Sequence, residues 1–82
     1  MEDVRSDKQI VEELKQGNQA SLEVLINRYG TKVYSLAMRF TRCPEDAEEV
    51  LQDVFLTVCR KINSFEGKSA FSSWLFRVTV NS

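Results

Sequence analysis

The sequence predicts an all-α fold, a compact bundle of about four helices. Three observations carry this expectation. Apolar residues recur at intervals of three and four along most of the chain, and no stretch alternates as a strand would. One proline and three glycines in 82 residues argue against a loop-rich or disordered chain. The turn residues fall between the periodic stretches, and short connections favour helices that pack mainly antiparallel. A hydrophobic content of 43% suffices for one core, and the length suits a single small domain over 1–82.

The first helix follows Ser6 or Asp7 as N-cap, with Ser6 and Gln9 at capping-box spacing. Ile10, Val11 and Leu14 form its short stripe, and Gly17 ends it. The second helix starts after Asn18. Leu22, Leu25, Ile26, Tyr29, Val33, Leu36, Ala37 and Phe40 give it the clearest periodicity in the chain. Gly30 lies inside it at a cost of about 1 kcal/mol relative to alanine. The apolar phase continues across that glycine, so one helix is expected, straight or bent there. Its stripe reads as core, with a groove for a partner as the other reading.

Pro44 announces the third helix at its first position, with Glu45 and Asp46 favourable to the helix dipole. Ala47, Leu51, Val54, Val58 and Ile62 make its buried stripe, Phe55 borders it, and the end falls near Asn63. A loop follows through Ser64, Phe65, Glu66, Gly67 and Lys68. Ser69 is the expected N-cap of a fourth helix that runs to the chain end without a stop signal, which suggests a cut rather than a natural terminus. Phe71, Trp74, Leu75 and Val78 give that helix a core stripe, with Trp74 largely buried. Phe76 and Val80 lie on the other side.

The net charge of −1 points to no partner, but its distribution is uneven. From Glu45 to Asp53 there are five acids and no base; beyond Asp53, Arg60, Lys61, Lys68 and Arg77 stand against Glu66 alone. The two cysteines, Cys43 and Cys59, form no CxxC, and the chain has no histidine, so no metal site is expected and both thiols read as reduced. The N-terminus carries Glu2, Asp3 and Asp7 and no apolar run. Neither a signal peptide nor a membrane span is expected, and the cytoplasm is the expected location.

No catalytic constellation is present. Without histidine, and with no acid isolated on an apolar face, general acid–base chemistry has no agent, and no glycine-rich phosphate loop occurs. A non-enzymatic binding module without a cofactor is the default. Two features rise above it. Glu45, Glu49, Gln52, Asp53 and Leu56 share one outer face of the third helix. This reads either as a solvated surface with one stray leucine, or as a docking face for a basic helix in which charge orients and leucine supplies buried area. The second feature is the C-terminal stretch, where Phe65, Trp74 and Phe76 are interleaved with Lys68, Arg77 and Asn81. Rings that stack, cations that neutralise phosphate and an amide that reads an edge are the means of holding unstacked bases. In the alternative reading, Phe65, Phe71, Trp74 and Leu75 fill the core and Phe76 is a stray surface ring.

The run DAEEVLQDVFLTVCRKINSFEGKSAFSSWLFRVTVN, Asp46 to Asn81, resembles region two of bacterial RNA polymerase sigma factors of the extracytoplasmic-function group. The resemblance rests on Asp46-Ala47-Glu48-Glu49, Leu51-Gln52-Asp53-Val54-Phe55, Phe65 to Phe71, Trp74-Leu75 and Arg77 to Asn81. Gly17-Asn18-Gln19-Ala20 and Arg28-Tyr29 also fit, so it covers nearly the whole chain from Ile10. It implies a transcription initiation domain whose third helix docks on the clamp helices of the polymerase β′-type subunit through Glu49, Gln52 and Asp53, with Leu56 beside them. It further implies that the loop and last helix open the −10 promoter element and capture a flipped base of the non-template strand through Phe65, Lys68, Ser69, Phe76, Arg77 and Asn81. Phe76 stands where relatives often have tyrosine. The second helical domain of such factors, which reads the −35 element, is outside this chain, so a fragment is expected. Relatives are often held by an anti-sigma factor.

Two rivals stand beside this reading. One is a helical adaptor that binds a basic helix through the acidic face and completes a partner's core with its last helix. The other is a bundle that dimerises through that helix. The feature that separates them is convergence of Phe65, Phe76, Arg77 and Asn81 on one exposed pocket, which strand capture needs and an adaptor does not.

Overall fold

The computed structural model describes residues 4–81 and contains four α-helices and no strand among them. They are α1 (Asp7–Lys15), α2 (Gln19–Thr41), α3 (Pro44–Lys61) and α4 (Phe71–Val80), with a 3-10 turn, Ile62–Ser64, after α3. Glu2, Asp3 and Ser82, which entered the sequence reading, lie outside the described residues. The radius of gyration is 12.4 Å, against about 12 Å for a compact chain of this length.

Each helix begins for a local reason. Ser6 caps α1, its Oγ accepting from the Gln9 N–H at 3.2 Å, and α1 ends where Gly17 takes a left-handed φ of 94°. Asn18 caps α2 by accepting from the Ala20 N–H at 3.1 Å. The helix passes unbroken through the buried Gly30, as the continuous apolar phase requires. Pro44 opens α3, with Glu45 and Asp46 in the first turn and Arg60 and Lys61 in the last, each sign where the helix dipole favours it. The α2–α3 connection turns on Arg42, a non-glycine residue with φ of 56°.

The core is one cluster: Ile10, Val11 and Leu14 of α1, Leu25 and Val33 of α2, Val54, Phe55 and Val58 of α3, then Ile62, Phe65, Phe71 and Leu75. The most extensive packing is between α2 and α3; α1 lies on α2, and α4 rests on both α3 and α2. Asp7 ties α1 to α2. It accepts from Arg28 Nη1 at 2.7 Å and from the Tyr29 hydroxyl.

Some expectations need correction. Phe40 is 58% exposed, because Ala37 is the last buried residue of α2 and the final turn runs past the core. Trp74 keeps the burial expected of it for the greater part, packed on Phe65 and Phe71 on one side, with its other side lining a groove. The N-cap of α4 is Ala70, one residue later than expected and without a side-chain bond; the Ser73 and Trp74 N–H groups both donate to the Ala70 carbonyl. Phe55 is fully in the core rather than at its border. Thr79, unmarked in the sequence, is buried, its hydroxyl donating to the Leu75 carbonyl at 2.9 Å. Among the described residues, no helix is long and apolar enough to cross a membrane.

Candidate nucleic-acid and protein interfaces

The inner side of α3 is taken by Ala47, Val54, Phe55 and Val58, so its outer side must face solvent. At 100° per residue, Glu45, Glu49, Gln52, Asp53 and Leu56 fall within about 100° of arc. All five are exposed, and Leu56 is 52% exposed among the acids. Cys59 and Arg60, also exposed, continue the same face toward the end of the helix. The sequence reading of this surface therefore matches its geometry, with a basic end it had not included.

Helix α4 presents two contrasting sides. Phe71, Leu75 and Thr79 are buried, while Ser72, Ser73, Phe76, Arg77, Val80 and Asn81 face out. Phe76 is 55% exposed. The aromatics on both sides of the helix thus belong to two environments, a core side and an unpartnered side.

The single exposed pocket expected from Phe65, Phe76, Arg77 and Asn81 is not formed. Phe65 is 8% exposed and sits in the core, edge-on to Phe71 with ring centroids 6.0 Å apart and tilted on Trp74 at 5.3 Å. Its N–H donates to Ile62, which turns the ring inward as the chain leaves the 3-10 turn. The remaining residues straddle α4, because consecutive helical positions point about 100° apart. Arg77 and Asn81 line a groove of about 350 Å³ shared with Thr57 and Lys61 of α3. Phe76 lines a smaller, mostly apolar groove of about 140 Å³ shared with Tyr29, Lys32 and Leu36 of α2. Ser69 lies on a third cleft, between the loop and α1, and accepts from Arg77 Nη2 at 3.5 Å. Lys68 is exposed and pairs with Glu66 at 2.9 Å.

The outer side of α4 is therefore a ridge with an exposed ring, a guanidinium and an amide, flanked by one lysine from each neighbouring helix. Lys32 does not figure in the sequence reading, and Lys61 figures there only in the charge balance, not beside α4. They lie 29 positions apart and on different helices, so no local spacing connects them; only the packing of α2 and α3 on α4 does. Tyr29 ties the α2 groove to the core, its ring 5.7 Å from Phe71. Burial, the hydrogen bond to Asp7 and that carboxylate's charge push its phenol up from 10.0 to about 12.

The sequence and the fold match known proteins. The family profile for sigma-70 region 2 matches residues 25–82. The RNA polymerase sigma-H factor of Pseudomonas aeruginosa is 33% identical over 75 residues, covering 92% of this chain and 39% of its own. The ECF RNA polymerase sigma-E factor of Escherichia coli (strain K12) is 37% identical over 81 residues, covering 99% of this chain and 42% of its own. The chain thus spans about two-fifths of the length of these relatives. An engineered region 2 of sigmaE, solved by NMR in complex with GTAAAA, has a TM-score of 0.88 and 34% identity, covering 99% of this chain and 84% of that one. These likenesses do not favour the adaptor reading. The chain belongs to the sigma-70 region 2 family.

Proposed function

We propose that this domain is a transcription initiation module that docks on core RNA polymerase through α3 and holds the opened −10 promoter element on α4. The observation that carries the reading is the fold-wide likeness to a region 2 solved with GTAAAA, joined to an exposed phenylalanine, arginine and asparagine on the unpartnered side of α4. In this reading Glu49, Gln52, Asp53 and Leu56 meet the clamp helices of the β′-type subunit. Phe76, Arg77 and Asn81 contact the non-template strand, Lys68 and Ser69 border it, and Phe65 acts from below by anchoring the loop. The setting is the bacterial cytoplasm, where sigma factors work, and the role is non-enzymatic. An anti-sigma factor acting on this domain would cover one of the two faces.

Energetics shape the expected behaviour. Taking a base out of the stack costs a few kcal/mol, and an aromatic platform returns about 1–3 kcal/mol per base. These terms nearly cancel, so the domain alone binds weakly and prefers single strands to duplex. Each cation that neutralises a phosphate adds about −0.7 to the salt slope on a single strand, so the few in reach make that slope modest. Docking on polymerase supplies the rest by bringing α4 against DNA already held by the enzyme.

The test is fluorescence anisotropy with labelled single-stranded GTAAAA, its duplex, and the protein carrying Phe76→Ala with Asn81→Ala. The parent is expected to favour the single strand, and the double variant to lose about tenfold or more while its urea midpoint stays near the parent's. Equal affinity of parent and variant would place the strand elsewhere and revive the adaptor reading.

A further inference from the structure

The loop from Phe65 to Ala70 joins the 3-10 turn to α4 and has no regular structure of its own. Its start is held from an unexpected direction. Lys15, in the last turn of α1, donates from Nζ to the Phe65 carbonyl at 2.6 Å, across 50 positions of sequence. The same ammonium lies 6.0 Å from the centroid of the Phe65 ring. Its nearest carboxylate, Glu12, is 4.0 Å away, so the carbonyl is its closest oxygen contact of the two. The Lys15 side chain is 24% exposed, and Lys15 lines the cleft between α1 and the loop. A charge-assisted bond in a partly desolvated cleft is stronger than an exposed one, and here it fixes the backbone atom from which the loop departs. The other end of the loop is met by Arg77, which reaches Ser69 from α4.

From this geometry we infer that Lys15 is a positioning residue for the DNA-holding segment: α1 sets the loop, and through it the start of α4, by gripping the Phe65 carbonyl. The inference rests on the proposed role of α4 in strand binding. Lys15 itself need not touch DNA. Its effect passes through the placement of Ser69, Arg77 and the first turn of α4.

The experiment compares Lys15→Met, Lys15→Arg and Lys8→Met in the same chain. Lys8 lines the same cleft, so Lys8→Met removes an equal charge and leaves the Lys15–Phe65 bond in place. Single-stranded GTAAAA affinity is read by anisotropy, binding of a β′ clamp-helix fragment by calorimetry, and loop geometry by the Gly67 and Ser69 amide shifts. Lys15→Met should bind the oligonucleotide about three- to tenfold more weakly and move both amides. Lys15→Arg should restore most of the affinity, Lys8→Met should stay within about twofold of the parent, and clamp-helix binding should be unchanged throughout. The inference is overturned if Lys15→Met matches the parent, or if Lys8→Met weakens binding as much, which would reduce the effect to plain charge. A parent with no oligonucleotide affinity would count against the proposed function instead. The Gly67 and Ser69 shifts then still decide whether Lys15 holds the loop, and unmoved shifts overturn it.

Discussion

The outer face of α3 and the outer side of α4 differ in what holds them in place. The α3 face belongs to one helix of 18 residues, opened by a proline, with every contributing side chain on the same rigid rod. The α4 side belongs to a helix of 10 residues that starts without a side-chain cap, after a loop, and borrows Lys32 from α2 and Lys61 from α3. A face on one helix needs only that helix to form. A surface assembled across a loop and three helices needs the whole fold, so disturbing the loop should damage it while sparing the α3 face.

The largest expected effect tests that dependence. Phe65 is the buried link between the 3-10 turn and α4, packed on Phe71 and Trp74. Phe65→Ala should cost about 3–5 kcal/mol in urea unfolding, as deletion of a core aromatic does. Phe76→Ala, on the open side of the same segment, should cost under about 1 kcal/mol. Two variants of equal stability would mean that the loop ring is not a core anchor, and the contrast between the two regions would collapse.

That pair also shows why one region was more legible than the other. The four helices, the Ser6 and Asn18 starts, the proline opening of α3 and its acidic face all follow from spacing within one helix, which sequence displays directly. Phe65 looked like an exposed loop aromatic because its neighbours Ser64, Glu66 and Lys68 are polar. Its burial comes from Phe71, Trp74 and Lys15, none of them adjacent in the chain. Phe76 and Arg77 read as one cluster by their chemistry, although consecutive helical residues face different neighbours. Periodicity alone puts Phe40 in the core, because it carries no information on where the partner helices end.

An intermediate effect separates the two faces directly. Asp53→Arg reverses a charge at the centre of the α3 face. It should weaken binding of a clamp-helix fragment by about 1–3 kcal/mol, since facing charges would now repel a basic partner. The fold should tolerate it, because Asp53 is exposed and the new arginine stands four residues after Glu49, a favourable helical pair. Arg77→Ala should do the reverse, lowering oligonucleotide affinity and leaving the clamp-helix fragment bound as before. Calorimetry on both ligands checks the pair. A single substitution that weakens both would show that the faces are coupled rather than separate.

The smallest expected effect concerns Tyr29, which stands beneath α4 and joins it to α1 through Asp7. The folded phenol holds its proton to about 12, whereas an unfolded tyrosine releases it near 10.0. Burial is the first cause, followed by the hydrogen bond and charge of Asp7. The sign follows from linkage. Below pH 10 both states keep the proton and the contribution is fully present. Between pH 10 and 12 the unfolded chain ionises first and gains stability that the folded chain does not, so the contribution is lost as pH rises. Tyr29→Phe has no phenol to titrate, and lysine ionisation is common to both proteins and cancels in their difference. The stability advantage of the parent over Tyr29→Phe in urea should hold level from pH 7 to 9 and shrink through pH 10–12. The ring is partly open to solvent, so the decline should be shallow. Through that window the folded phenol keeps its proton, so neither oligonucleotide nor clamp-helix affinity of the folded domain should change on its account. A constant difference between the two proteins across it would show that the Tyr29–Asp7 contact does not brace α4.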